Sequence, residues 1–238
     1  MKTTKKKKKN KQGVKLAVMG FSSLMVIVFL IAFATSKTEG AAKAITMNEA
    51  AVEHLTKQPV QGDENAAVSI VEFGDFKCPG CQFFAENIYP MIIKDFVEPG
   101  TANFKFVNFP FLGPDSVTAA EASEYVLAKS PSDYWKYFET IYQNQQSEST
   151  NWATIDYLVE LAKMAGVNVD YTDMHTALEN GDYSKVVTED LAFSRELGIK
   201  QTPTLVVNGI AIQPGGLTYI QLKEEIQKAI DGQAKGDS

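Results

Sequence analysis

Val71-Glu72-Phe73-Gly74-Asp75-Phe76-Lys77-Cys78-Pro79-Gly80-Cys81, residues 71–81, is the stretch on which the fold turns. Its first half completes Val68-Ser69-Ile70-Val71-Glu72-Phe73, an apolar, β-branched run that stops at Gly74 and has the pattern of a buried strand. Beyond Cys81, residues Phe83, Phe84, Ile88, Met91, Ile92 and Phe96 recur at helical spacing, so a long amphipathic helix is expected to bury them. Pro90 should kink that helix, because proline removes a donor and clashes with the preceding turn. Residues 103–109 alternate and predict a second strand. Strand, helix, strand in this order favours a βαβ unit with parallel pairing.

Cys78 and Cys81 are the only cysteines in 238 residues. A bridge between them would close too small a ring to staple a domain, since stabilisation grows with the loop closed. A structural zinc site needs four ligands, and the chain's two histidines, His54 and His175, are far apart and in no ligand-spaced pair. No zinc site is therefore expected; a calcium ion on the acidic body stays open, with no ligands to name, since no loop has the alternating oxygens of an EF-hand. What remains is a redox dithiol that needs no cofactor beyond its own disulfide.

The motif lies where the strand ends and the helix begins. Cys78 would meet the free N–H groups and positive dipole end of that helix, which favour its thiolate, the species that attacks in disulfide exchange. Cys81, about one turn inward, is the expected resolving thiol. Pro79 suits a first helical turn because it has no N–H to satisfy there. Gly80 offers no side chain, so backbone groups must stabilise the thiolate. Glu72 is an acid within an apolar strand. If buried, its pKa rises and it can relay protons near neutrality; if the strand lies at an edge, it is merely solvated. Asp75 and Lys77 are expected to be exposed loop residues.

After the second strand comes a helical block. Asp115 or Ser116 should cap a helix to about residue 129, and Pro131 should open another. Asn151 should cap a third helix that Gly166 closes, with two more over residues 170–179 and 183–197. Then Gln201-Thr202-Pro203-Thr204 leads into a strand at 205–207, Asn208-Gly209 makes a hairpin turn, residues 210–213 return, and a last helix covers 217–230. The expected architecture is α/β: a thioredoxin fold, βαβ plus ββα, over residues 67–114 and 199–232, with a helical insertion at 115–198.

Charge is uneven along the chain. Eight of the 23 basic residues fall in residues 1–15, leaving 15 basic against 29 acidic side chains beyond Lys15, a formal net of −14. Such a body repels phosphate backbones, so nucleic acid is not an expected partner. Residues 16–34 form an uncharged apolar run that, as a helix, would nearly match the hydrocarbon thickness of a bilayer. With residues 1–15 as a lysine-rich cytoplasmic tail, this run predicts a transmembrane anchor with the catalytic body outside the cytoplasm. The alternative is a signal sequence cleaved after Ala34, which would release a secreted domain. Residues 35–66 are small, polar and charged and are expected to form a stalk, with a short helix over residues 47–57.

The 71–81 stretch on a strand-to-helix turn, the Thr202-Pro203-Thr204 segment before a late strand and the Asn208-Gly209 hairpin together resemble the DsbA-like family of thiol–disulfide oxidoreductases. The chain is especially similar to the membrane-anchored Bdb-type members of that family over residues 60–232. The resemblance implies catalysis by Cys78 and Cys81, with the acid at Glu72 serving proton transfer to and from the inner cysteine. It also implies a cis Thr202–Pro203 bond facing the dithiol, where backbone groups of Thr202 can pair with an extended substrate. The expected activity is oxidation of thiols in exported proteins, with an integral-membrane, quinone-linked oxidase restoring the disulfide. An extracytoplasmic reductase or isomerase using the same site, and a non-catalytic binding module, remain as alternatives.

Overall fold

The computed structural model describes residues 43–234. Its six-stranded sheet has the order β1-β6-β5-β3-β4-β2. The strands are β1 (Lys43–Ala44), β2 (Val60–Gln61), β3 (Ser69–Gly74), β4 (Asn103–Asn108), β5 (Thr204–Val207) and β6 (Ile210–Ile212). Strand β3 is central, parallel to β4 and antiparallel to β5, so the 71–81 stretch starts in the middle of the sheet. Helical segments over residues 79–97 connect β3 to β4, and the expected parallel βαβ unit is present.

Helix α1 (Glu49–Leu55) precedes β2, and α2 (Pro79–Asn87) follows the cysteine motif. The long helix expected after Cys81 breaks at Ile88, just before Pro90, and resumes as α3 (Tyr89–Ile92) and a π-helical turn (Ile93–Val97). Pro90 falls in the first turn of α3, where its missing N–H is tolerated. Phe83 departs from the expected apolar face and is 61% exposed.

The insertion comprises α4 (Pro114–Lys129), α5 (Tyr134–Gln143), α6 (Ile155–Met164), α7 (Tyr171–Asn180) and α8 (Ser184–Glu196). Two expected caps are corrected. Gly113, not Asp115 or Ser116, occupies the N-cap of α4, and both of those side chains turn to other partners. Thr154, not Asn151, caps α6. The Asn208-Gly209 turn joins β5 to β6 with both residues at positive φ, as a two-residue hairpin of this type requires. Helix α9 (Tyr219–Ala234) is the last described element.

Alternation along β3 sends Ile70 and Glu72 to one face and Val71 and Phe73 to the other. Ile70 joins Phe104, Phe106, Leu205 and the aromatic side chains of α2, α3 and α5. Val71 and Phe73 pack with Val107, Val206, Phe193 of α8, and Ala51 and Leu55 of α1. The second cluster corrects the stalk expected over residues 35–66. Within its described part, β1 pairs with β6, β2 pairs with β4, and α1 buries two side chains. Runs of two strand residues and a seven-residue helix are too short to show periodicity, which is why composition alone suggested a stalk.

The expected cytoplasmic tail, the apolar run at 16–34 and the site after Ala34 lie outside the described residues. Among the described residues, no helix is long and apolar enough to cross a membrane.

Candidate active site

Cys78 occupies the N-cap of α2 in an extended conformation, and Pro79 begins the helix. The N-cap position leaves the first N–H groups of α2 without intrahelical partners, so those of Gly80 and Cys81 are free to face the Cys78 sulfur. Both cysteines are free thiols, Cys78 9% exposed and Cys81 fully buried. The Cys78 thiol donates to the Thr202 carbonyl oxygen at 3.5 Å. The Thr202–Pro203 peptide is cis. The structure thus brings the late Thr202-Pro203 segment onto the dithiol, 124 positions along the chain.

The two thiols are driven apart in acidity. The Cys78 pKa falls to about 6, chiefly because the Cys81 thiol hydrogen-bonds to its sulfur, with further help from the Thr202 side chain and the N–H groups of Cys81 and Gly80, against the opposing effect of burial. Burial pushes the Cys81 thiol well up, and the neighbouring Cys78 and Glu72 add to that rise. The backbone of Asp75 acts on Cys81 in the opposite direction.

Glu72 is fully buried, in the central strand rather than at an edge. Neither carboxylate oxygen has a hydrogen-bond partner among the described residues. Burial, and then the charge on Cys78, raises its pKa well above the usual carboxylate range. A buried carboxyl without partners is costly to ionise, and a thiolate on Cys78 makes ionisation costlier still. Gly74 leaves room beside it: a Cβ there would overlap the Phe106 ring and approach Glu72 Oε1 to 3.3 Å.

Gly80 also decides a close approach. An added Cβ would lie 3.3 Å from Pro203 Cδ and 3.6 Å from Cys78 Sγ. The absent side chain lets the Pro203 ring sit against the first turn of α2.

Asp75 and Lys77 are corrected from exposed to buried, at 1% and 3% exposure. The Asp75 carboxylate accepts from the N–H groups of Lys77, Phe111 and Leu112 and from the Ser116 hydroxyl. The Lys77 ammonium pairs with Asp115 at 2.7 Å and donates to the Thr150 carbonyl at 2.9 Å. The Gln145 amide donates to the Phe76 and Cys78 carbonyls. No sequence signal joins Lys77 to a partner 38 residues away. Charged side chains are ordinarily exposed, and burial comes with pairing that only the fold reveals. Among the described residues, no group of three or more His, Cys, Asp and Glu side chains is arranged to hold a metal.

Comparison with known proteins agrees with this geometry. A family model described as Thioredoxin matches residues 54–231. The chain is 35% identical over 175 residues to disulfide bond formation protein D of Bacillus subtilis, covering 74% of this chain and 78% of that protein. The chain belongs to the DsbA-like family of thiol–disulfide oxidoreductases. Within that family, probable disulfide bond formation protein D of Bacillus cereus is 31% identical, with 73% of this chain and 77% of the relative covered. The crystal structure of oxidised BdbD from Bacillus subtilis superposes with a TM-score of 0.71 at 31% identity, over 82% of this chain and all of that one. DsbA of Chlamydia trachomatis shares the fold, with a TM-score of 0.64 at 24% identity, over 75% of this chain and 92% of that one. Family membership makes this chain a protein disulfide oxidoreductase, with a thioredoxin fold and a helical insertion.

Proposed function

We propose that the protein is an extracytoplasmic dithiol oxidase that introduces disulfides into exported proteins. What carries the direction is the likeness to disulfide bond formation protein D of Bacillus subtilis, and the lowered pKa of Cys78 is consistent with it. A stabilised thiolate lowers the free energy of the reduced form. The disulfide is correspondingly ready to accept electrons, as an oxidase requires.

In the forward reaction a substrate thiolate attacks Cys78 Sγ, the Cys78–Cys81 bond breaks, and Cys81 leaves with the electron pair. Cys81 then takes a proton, which Glu72 supplies through a bridging water. A second substrate thiolate attacks the substrate sulfur of the mixed disulfide, and Cys78 leaves as its stabilised thiolate. The substrate loses two electrons and gains a disulfide, and the protein ends as a thiolate and a thiol. Thr202 offers backbone groups to an extended substrate segment beside Cys78. Pro79, Gly80 and Pro203 shape the surface on which that segment lies.

Turnover then requires a partner that removes two electrons from the dithiol. An integral-membrane, quinone-linked oxidase fits this need. The lysine-flanked apolar run at 16–34 supports a tether that keeps the domain at the outer membrane surface. Mixing the oxidised protein with a reduced, unfolded polypeptide bearing two cysteines tests the direction. The expected result is one disulfide gained by the polypeptide for each Cys78–Cys81 bond consumed. A polypeptide that stays reduced while this protein stays oxidised contradicts the oxidase function.

A further inference from the structure

We propose that the helical insertion sets the reactivity of the dithiol by holding residues 75–78, with Lys77 and Asp115 as positioning residues. This rests on the disulfide-exchange function above and extends it to the contacts between the active-site loop and the insertion.

Each of the four residues from Asp75 to Cys78 hydrogen-bonds to the chain between Phe111 and Thr150. Asp75 is held through its carboxylate by Phe111, Leu112 and Ser116. Phe76 and Cys78 are held through their carbonyls by Gln145. Lys77 is held through its ammonium by Asp115 and Thr150. The second oxygen of Asp115 accepts from the N–H of Ala153, so Asp115 and Lys77 together tie the start of α4, the 150–153 loop and the residue next to the reactive cysteine.

The Lys77 and Asp115 side chains are 4% and 5% exposed. A buried pair of this kind is costly to desolvate, and apolar residues of similar volume often stabilise a fold as well or better. What an ion pair adds is direction. Thiolate stabilisation at Cys78 depends on its sulfur lying where the Cys81 thiol, the Thr202 side chain and the N–H groups of Cys81 and Gly80 converge. Hydrogen bonds weaken steeply with misalignment, so a small displacement of residues 75–78 would raise the free energy of the thiolate. A looser segment should therefore make Cys78 less acidic and the disulfide less oxidising.

The test compares the full-length protein with the double variant Lys77→Met/Asp115→Leu, which removes the pair without leaving a lone buried charge. Thermal unfolding, the equilibrium constant with reduced and oxidised glutathione, and the pH profile of Cys78 alkylation are measured on both. The double variant is expected to remain folded and to favour its disulfide about tenfold more than the parent, about 30 mV for this two-electron couple. Its alkylation profile should shift to higher pH. Gln145→Ala, which disturbs no charge, should shift both quantities in the same direction by about threefold, and it keeps the test valid if the double variant fails to fold. Folded variants with the parent's equilibrium constant and alkylation profile would overturn the proposal and leave the pair purely structural. A parent protein that does not exchange with glutathione at all would instead remove the underlying function, and the proposal with it.

Discussion

Cys78 Sγ lies 3.5 Å from the carbonyl oxygen of Thr202, which seats the reactive sulfur between the first turn of α2 and the segment leading into β5. The βαβ and ββα halves of the core meet at this sulfur. A substrate strand paired to the backbone of Thr202 would carry its own thiol across Cys78, while Cys81 stays buried beneath.

The two thiols should react in a fixed order. With Cys78 held at about pKa 6 and Cys81 pushed well up, alkylation of the reduced protein near pH 6 should label Cys78 first. Peptide mapping after brief labelling checks this. Cys81→Ser should accumulate a mixed disulfide on Cys78. Labelling that favours Cys81 reverses the assignment.

Stability of the reduced protein should depend on pH through Cys78. Between about 6 in the folded state and about 8.5 in the unfolded chain, the native thiol has lost a proton that the unfolded thiol keeps. Stability from this group therefore rises with pH across that window, is fully present above it, and is lost as pH falls through about 6. The full effect is on the order of 3 kcal/mol. Glu72 acts with the opposite sign, because its folded pKa is raised: the native carboxyl keeps a proton that the unfolded chain gives up above about 4.3, so its contribution falls as pH rises. Urea titrations of the reduced protein and of Cys78→Ser at several pH values separate the two. The serine variant should lack the rise, and an identical pH slope in both proteins contradicts it.

Glu72 should cost stability and speed exchange. Glu72→Leu removes a buried carboxyl with no partner and should gain about 1–3 kcal/mol in denaturant unfolding near neutral pH. Glu72→Gln keeps the shape without the titrating proton and should slow resolution of the mixed disulfide between about pH 5 and 8. Stopped-flow mixing with a thiol substrate reads that step, and unchanged rates in the glutamine variant would reduce Glu72 to a structural acid.

Much of this was legible in the sequence because it rests on local patterns. The β-branched run into Gly74, the proline after Cys78 and the Asn208-Gly209 turn each announce their own geometry. Residues whose roles depend on distant partners gave no such signal. Lys77 and Asp115 meet across 38 positions, and Asp115 and Ser116, which by sequence suit a helix cap, instead turn toward the active-site loop. Phe83 fits the apolar spacing of its helix yet faces outward, because Cys81, Phe84 and Ala85 form the side of the helix that the core covers. Glu72 could be placed on a strand from sequence, but its burial follows from β3 being central, which depends on how β4 and β5 flank it.

Gly80 should be a point of control over acidity. A Cβ there would stand 3.6 Å from Cys78 Sγ, so Gly80→His would bring an imidazole to the thiolate after the Pro203 ring yields by a few tenths of an ångström. The added charge or hydrogen bond should lower the Cys78 pKa further and make the disulfide more oxidising, by about 30 mV per 1.4 kcal/mol gained. Alkylation profiles of the two proteins check the direction, and a higher pKa in the histidine variant contradicts it.

Equilibrating the wild-type protein against glutathione buffers gives the reduction potential of the Cys78–Cys81 pair, the quantity that separates an oxidase from a reductase. A potential well above the thioredoxin value of about −270 mV is predicted, and one at or below that value would contradict an oxidase.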